Sequence, residues 1–134
     1  MKILCFIALS LVFGIQSITA QVYSFKATAF SVQEKNEGKW GKWSDFKEST
    51  IIISIDGKKD RVIIGSKEVQ LYEIESYGRK KSTATDDTVT LNCVDNAGNP
   101  CTILIITRKN QNNRKQFYVN FNDIRIVYNV YSSN

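Results

Sequence analysis

The chain has no histidine, one proline and three cysteines. Without histidine it cannot build a Ser-His-Asp or Cys-His nucleophile, a His-ligated metal site or imidazole acid–base catalysis. Cysteine is too scarce to replace it. Two cysteines without histidine cannot complete the usual zinc set, so no metal and no cofactor are expected. Catalysis would have to rest on carboxylates, tyrosines, lysines and serines. No catalytic residue stands out among them, and the balance leans away from an enzyme. Long apolar runs are also missing beyond the first residues. A bilayer span needs about 20 apolar residues, and no transmembrane segment is expected in the mature chain.

The first twenty residues are of another kind. Met1-Lys2 precedes an apolar run from Ile3 to Ile15, then Gln16-Ser17-Ile18-Thr19-Ala20-Gln21. One positive charge, a short apolar core and a small residue before a polar one read as a secretory signal peptide over residues 1–20. The mature protein is then a single domain over residues 21–134, exported to the periplasm or secreted. Loss of Lys2 lowers the net charge from +5 to +4. That mild basicity, in an exported protein, does not point to nucleic acid as a partner. Cys5 leaves with the leader and lies too early in it to carry a lipid anchor. Cys93 and Cys101 remain as an even pair in an oxidising compartment.

In the mature chain, β-branched and aromatic residues alternate with polar ones rather than recurring at helical spacing. Eight strands are expected: Val22–Val32, Ser49–Ile55, Arg61–Gly65, Glu68–Ser76, Thr88–Val94, Cys101–Arg108, Gln116–Phe121 and Ile124–Tyr131. After the second strand the connections are too short for a crossover helix. Sequential strands therefore pair antiparallel. The result is an all-β, up-and-down meander of eight strands, closed as a small barrel or flattened as a sandwich so that its edges are hidden. Only Gln33 to Glu48 has room for a short helix or a structured loop. Phe117, Val119 and Phe121 share one face, as do Ile51, Ile53 and Ile55, and Ile124, Ile126, Tyr128 and Val130. Apolar residues on both faces of Ile51–Ile53 and Ile103–Ile106 imply that part of the outer side is covered too. Symmetric pairing about Ala97 sets Cys93 opposite Cys101, near enough for a disulfide worth about 2.5 kcal/mol.

The segment Ser66–Ile74, SKEVQLYEI, and the C-terminal FYVNFNDIRIVYNVY of Phe117–Tyr131 resemble a group of small exported bacterial proteins of unassigned function. A strand like Tyr23–Phe30, a Trp-containing loop and a paired-cysteine hairpin complete the likeness. The resemblance implies an exported all-β domain and carries over no activity.

Three constellations bear on function. Glu73 and Glu75 share a strand face at a spacing of about 6.5–7 Å, which fits a glycosidase acid–base pair loosely and a solvated face better. Trp40, Trp43 and Phe46 stand among Lys39, Lys42 and Lys47. They read either as an aromatic platform for sugar or peptide, or as a plug for the barrel end. In this reading Trp43, next to an apolar strand, is the more buried tryptophan. Basic clusters at Lys58-Lys59-Arg61, Arg79-Lys80-Lys81 and Arg108-Lys109 with Arg114-Lys115 fall in alternate connections, which a meander brings to one end. There, ten cations meet Asp56, Asp60, Asp86 and Asp87, a local +6. The candidate binding residues are therefore Trp40, Trp43, Lys58, Lys59, Arg79, Lys80, Lys81, Arg108 and Lys109. An anionic or carbohydrate ligand suits them. The chain reads first as a non-enzymatic binding module, then as a carboxylate enzyme on carbohydrate or a structural envelope protein.

Overall fold

The computed structural model describes residues 21–131; the leader segment, with Cys5, lies outside the described residues. Ten strands form: β1 Val22–Asn36, β2 Lys39–Trp40, β3 Lys47–Asp56, β4 Arg61–Gly65, β5 Val69–Tyr77, β6 Lys81–Ser82, β7 Asp86–Asp95, β8 Pro100–Arg108, β9 Arg114–Asn120 and β10 Ile124–Tyr131. One turn of 3-10 helix, Lys109–Gln111, joins β8 to β9. The eight long strands pair antiparallel in chain order, and β10 pairs back onto β1. The meander is thus a closed barrel rather than a sandwich. β2 and β6 are two-residue additions, pairing β1 and β7.

Closure follows from the alternation. Ile51, Ile53, Ile55, Val62, Ile64, Leu91, Ile103, Phe117 and Val119 are at most 2% exposed and form one core with Tyr72, Tyr128 and Val130. Period-2 strands put all of these on one side, and only a closed sheet can bury that side without a second layer. β1 departs from simple alternation. A bulge between Ala27 and Ala29 interrupts its ladders with both β10 and β3. Tyr23, Phe25 and Ala27 face the core before it and Phe30 after it. A bulge bends a strand and shifts its facing by one residue, so one 15-residue strand serves both neighbours.

Aromatic pairs pack the interior toward both ends. Phe25 packs on Phe117 at 5.1 Å between ring centroids, beside Tyr23. Toward the other end Tyr72 packs on Phe121 and Phe30 on Tyr128. There the Tyr72 hydroxyl donates to Gln70 Oε1 at 2.6 Å, and Gln70 Nε2 donates to Ser66 Oγ and the Tyr128 hydroxyl. Burial pushes both tyrosine hydroxyls above their ordinary pKa, so both stay protonated, Tyr72 as a donor and Tyr128 as an acceptor.

The Gln33–Glu48 connection holds no helix. Glu37 and Gly38 both have positive φ, 51° and 79°, and turn β1 into β2. That pair of left-handed residues makes the two-residue hairpin turn that matches strand twist. Residues 41–46 then run back along the outside of β1, where Ser44 N donates to Val32 O and Ser31 Oγ to Ser44 O. Beneath this loop Ser31 and Val127 are buried although they face away from the core. The outer cover expected over Ile51–Ile53 is not there, since Ile52 is 46% exposed; the loop covers β1 and β10 instead.

Cys93 and Cys101 stand directly opposite each other in β7 and β8, both buried in the barrel. They are two separate thiols in this structure. Burial raises Cys93 to about 12 and Cys101 to about 11.

The split between inner and outer faces gives a direct stability test. Phe117→Ala, at a fully buried position, should lower the unfolding free energy by about 3–5 kcal/mol. Ile52→Ala, at an outward position that is 46% exposed, should cost less than about 1 kcal/mol. Urea unfolding of both variants checks this, and equal losses would contradict the inward assignment of Phe117.

Candidate functional site

The charged and tryptophan candidates lie at the two ends and on the outer wall. The turns β3–β4, β5–β7 and β8–β9 share one end, as chain order in an up-and-down barrel requires. Asp56 builds the first of them. Its Oδ1 accepts the backbone N–H groups of Lys58 and Lys59 at 3.0 and 3.1 Å, leaving both lysine side chains exposed at the tip. Asp60 closes it, accepting the Tyr77 hydroxyl at 2.7 Å. Burial and this bond to Asp60 hold Tyr77 protonated. In the second turn Gly78 passes so close to β7 that a Cβ there would sit 3.1 Å from the Thr90 Cβ. Arg79, Lys80 and Lys81 follow, all exposed.

The cations at this end do not all point outward. Asp87 Oδ1 lies 3.1 Å from Lys109 Nζ, and Oδ2 3.9 Å from Lys80 Nζ. Asp87 also accepts a hydrogen bond from the Ser82 hydroxyl. Lys109 Nζ donates at 2.7 Å to Thr83 O as well. Arg108 pairs with Asp86 at 3.1 Å and donates through Nε and Nη2 to Gln116 Oε1. Gln116 passes the chain of bonds to Asn129, which also accepts from Arg114. Lys115 donates to Thr107 at 2.9 Å, and burial lowers its pKa. Among the described residues, Lys58, Lys59, Arg79 and Lys81 have no ion-pair partner. The nine binding candidates therefore divide. These four are open cations; Lys80, Arg108 and Lys109 are tied to Asp86 and Asp87.

Trp40 and Trp43 lie at the opposite end, near the β1–β3 loop. Their expected order of exposure is reversed. Trp40 is the more covered because Arg125 from β10 stacks on it, with Cζ 3.9 Å from the ring centroid and Lys35 Nζ at 5.4 Å. Such cation–π stacking satisfies the ring within the protein. Trp43 is 39% exposed. It plugs no barrel end but reaches over the outer wall to Tyr118, edge to face at 6.1 Å. Glu73 and Glu75 are both exposed on the outside of β5, where a bulge between Ile74 and Ser76 breaks the ladder to β7. They occupy a solvated face.

The anchoring role of Asp86 and Asp87, and the stacking of Arg125 on Trp40, escape a reading by sequence. Each joins residues from strands far apart in the chain. No known protein family, curated protein or solved structure matches this chain.

Asp87 gives this end a pH signature. The Ser82 hydroxyl and then Lys109 hold its carboxyl below the ordinary value of 3.8. A lowered folded pKa means stabilisation that is complete above the unfolded value and lost as pH falls through the folded one. Asp87→Asn should therefore lower the melting temperature near neutral pH. The deficit should shrink as the pH falls toward about 2. Thermal melts across that range check it; a deficit that does not change with pH would show that Asp87 acts without its charge.

Proposed function

We propose that the chain is an exported, non-enzymatic binding module whose four open cations engage an anionic surface. The observation that carries this reading is the gathering of Lys58, Lys59, Arg79 and Lys81 at one end of a barrel with an apolar core. Unpaired cations on adjacent turns attract anions over about a Debye length, roughly 10 Å at 0.1 M salt. Lys80, Arg108 and Lys109 hold the turns in place rather than contacting the partner. Export rests on the Met1–Ala20 sequence pattern, and the likeness to a group of small exported proteins on Ser66–Ile74 and Phe117–Tyr131.

Binding to a sulfated polysaccharide and to vesicles containing anionic lipid should weaken steeply between about 0.1 and 1 M salt. Arg79→Glu with Lys81→Glu should weaken it further, while Lys39→Glu with Lys42→Glu at the other end should have less effect. Comparing the two probes tells polymer from lipid. Salt-independent binding, or no binding to either, overturns the reading.

In the exported protein Cys93 and Cys101 form a disulfide, their two electrons and two protons passing to a disulfide of the oxidising compartment. The pairing across the ladder puts them within reach. Protein recovered from its exporting host should give no thiol when unfolded without reductant. Two thiols under those conditions would exclude the bridge. The reduced, folded protein should react sluggishly near neutral pH, because both thiols titrate far above it.

A further inference from the structure

We infer a second binding site on the outer wall, for a neutral oligosaccharide. It lies where β1 and β3 part. Their ladder runs to Ala27 opposite Ile51 and resumes with Ala29 opposite Glu48, so Thr28 faces both Ser49 and Thr50. The mismatch opens a depression of about 500 Å³, lined by Thr28, Ala29, Glu48, Ser49 and Thr50. Ligand sites commonly span about 300–1,000 Å³. Ala29 has no side chain beyond its methyl to fill the gap, and bulges often flank working sites because they re-aim the residues beside them.

The lining has unspent hydrogen-bonding capacity. Among the described residues, no side-chain hydrogen bond engages the hydroxyls of Thr28, Ser49 and Thr50 or the carboxylate of Glu48. Three hydroxyls that both donate and accept, beside a two-oxygen acceptor, match the hydroxyls of a sugar, which also do both. Glu48, the one charge in the lining, disfavours an anionic ligand and separates this site from the cationic end.

An aromatic surface lies on the same outer wall, two strands from the depression. Tyr118, Val127 and Ser31 form one outward row across β9, β10 and β1, and Gln116, Asn129 and Ala29 form the next. Trp43 lies against Tyr118 in the first row, and Ala29 in the second lines the depression. Tyr118 and Ala29 stand two residues apart along the strands and two strands apart across the sheet, about 12 Å in all, roughly the length of two linked pyranose rings. Trp43 is 39% and Phe46 50% exposed. A pyranose presents C–H groups on its faces and hydroxyls on its rim. A flat exposed ring on the same wall as a bed of hydroxyls suits both, spanned by more than one sugar unit. Trp40 cannot serve, since Arg125 covers it.

Calorimetric titration with cellohexaose, maltohexaose and N-acetylchitohexaose tests the site. At least one should bind with a dissociation constant of about 1 mM or tighter, little affected by salt. Trp43→Ala should weaken binding about tenfold or more, as should Ser49→Ala with Thr50→Ala. Arg79→Glu with Lys81→Glu should leave it unchanged. If Trp43→Ala fails to fold, Phe46→Ala and the hydroxyl variant carry the test. Absence of binding by all three sugars at about 10 mM overturns the site. So does binding that survives loss of Trp43 and the hydroxyls, or that disappears with Arg79 and Lys81.

Discussion

Everything in this molecule depends on the ladder between β1 and β10. Lys26 to Glu34 pairs with Tyr131 to Ile124, joining the first strand to the last and removing both sheet edges. The same β1 also pairs with β3 from Val22 to Phe30. Its two partners are offset along its length, which is the stagger that closing a barrel demands. The bulge at Ala27–Ala29 lets one strand meet both demands. Without this closure the residues now packed around Phe117 would form one face of an open sheet of marginal stability.

Closure also sorts the surface. Successive turns alternate between the two ends, so lysines and arginines scattered along the chain gather at one of them. Ten like charges at one end would repel. Asp86 and Asp87, at the start of β7, draw in Arg108, Lys109 and Lys80. The effect is division of labour within one cluster. Paired cations fix the β5–β7 and β8–β9 turns against each other, and unpaired ones give the end its field. Exposed pairs of this type contribute little each, but Lys80 and Lys109 share the Asp87 carboxylate, and Arg108 belongs to a side-chain hydrogen-bond network running from Asp86 to Asn129 across four strands.

A third consequence concerns the outer wall. The loop after β2 lies over β1 and β10, burying Ser31 and Val127 on the side of the sheet away from the core. Its path uses up Trp40, which stacks on Arg125, and leaves Trp43 with an open face. Where the loop re-enters the sheet as β3, the ladder to β1 breaks and the hydroxyl-lined depression forms. The loop and the bulge thus place an aromatic surface and a polar bed on the same outer wall, two strands apart. The opposite end carries the open cations.

The eight barrel strands were legible because their signal is local. Alternation along Phe117–Phe121 or Ile51–Ile55 needs no knowledge of the rest of the chain, and short connections leave antiparallel neighbours as the only pairing. The Cys93–Cys101 register was legible for the same reason, since a symmetric turn about Ala97 fixes it. The site was less legible. Topology brought the basic turns together as chain order implies. Which cations are open was decided by Asp86 and Asp87, which reach residues from other connections. β2 and β6 have too few residues to show periodicity and exist only because β1 and β7 offer them edges. The order of exposure of Trp40 and Trp43 turned on Arg125, a residue of the last strand. The depression at Thr28 exists because β1 is bent to close the barrel. Sequence alone determined which segments are strands and in what order they pair. The tertiary structure decided which polar groups are left without a partner, because that depends on contacts between residues far apart in the chain.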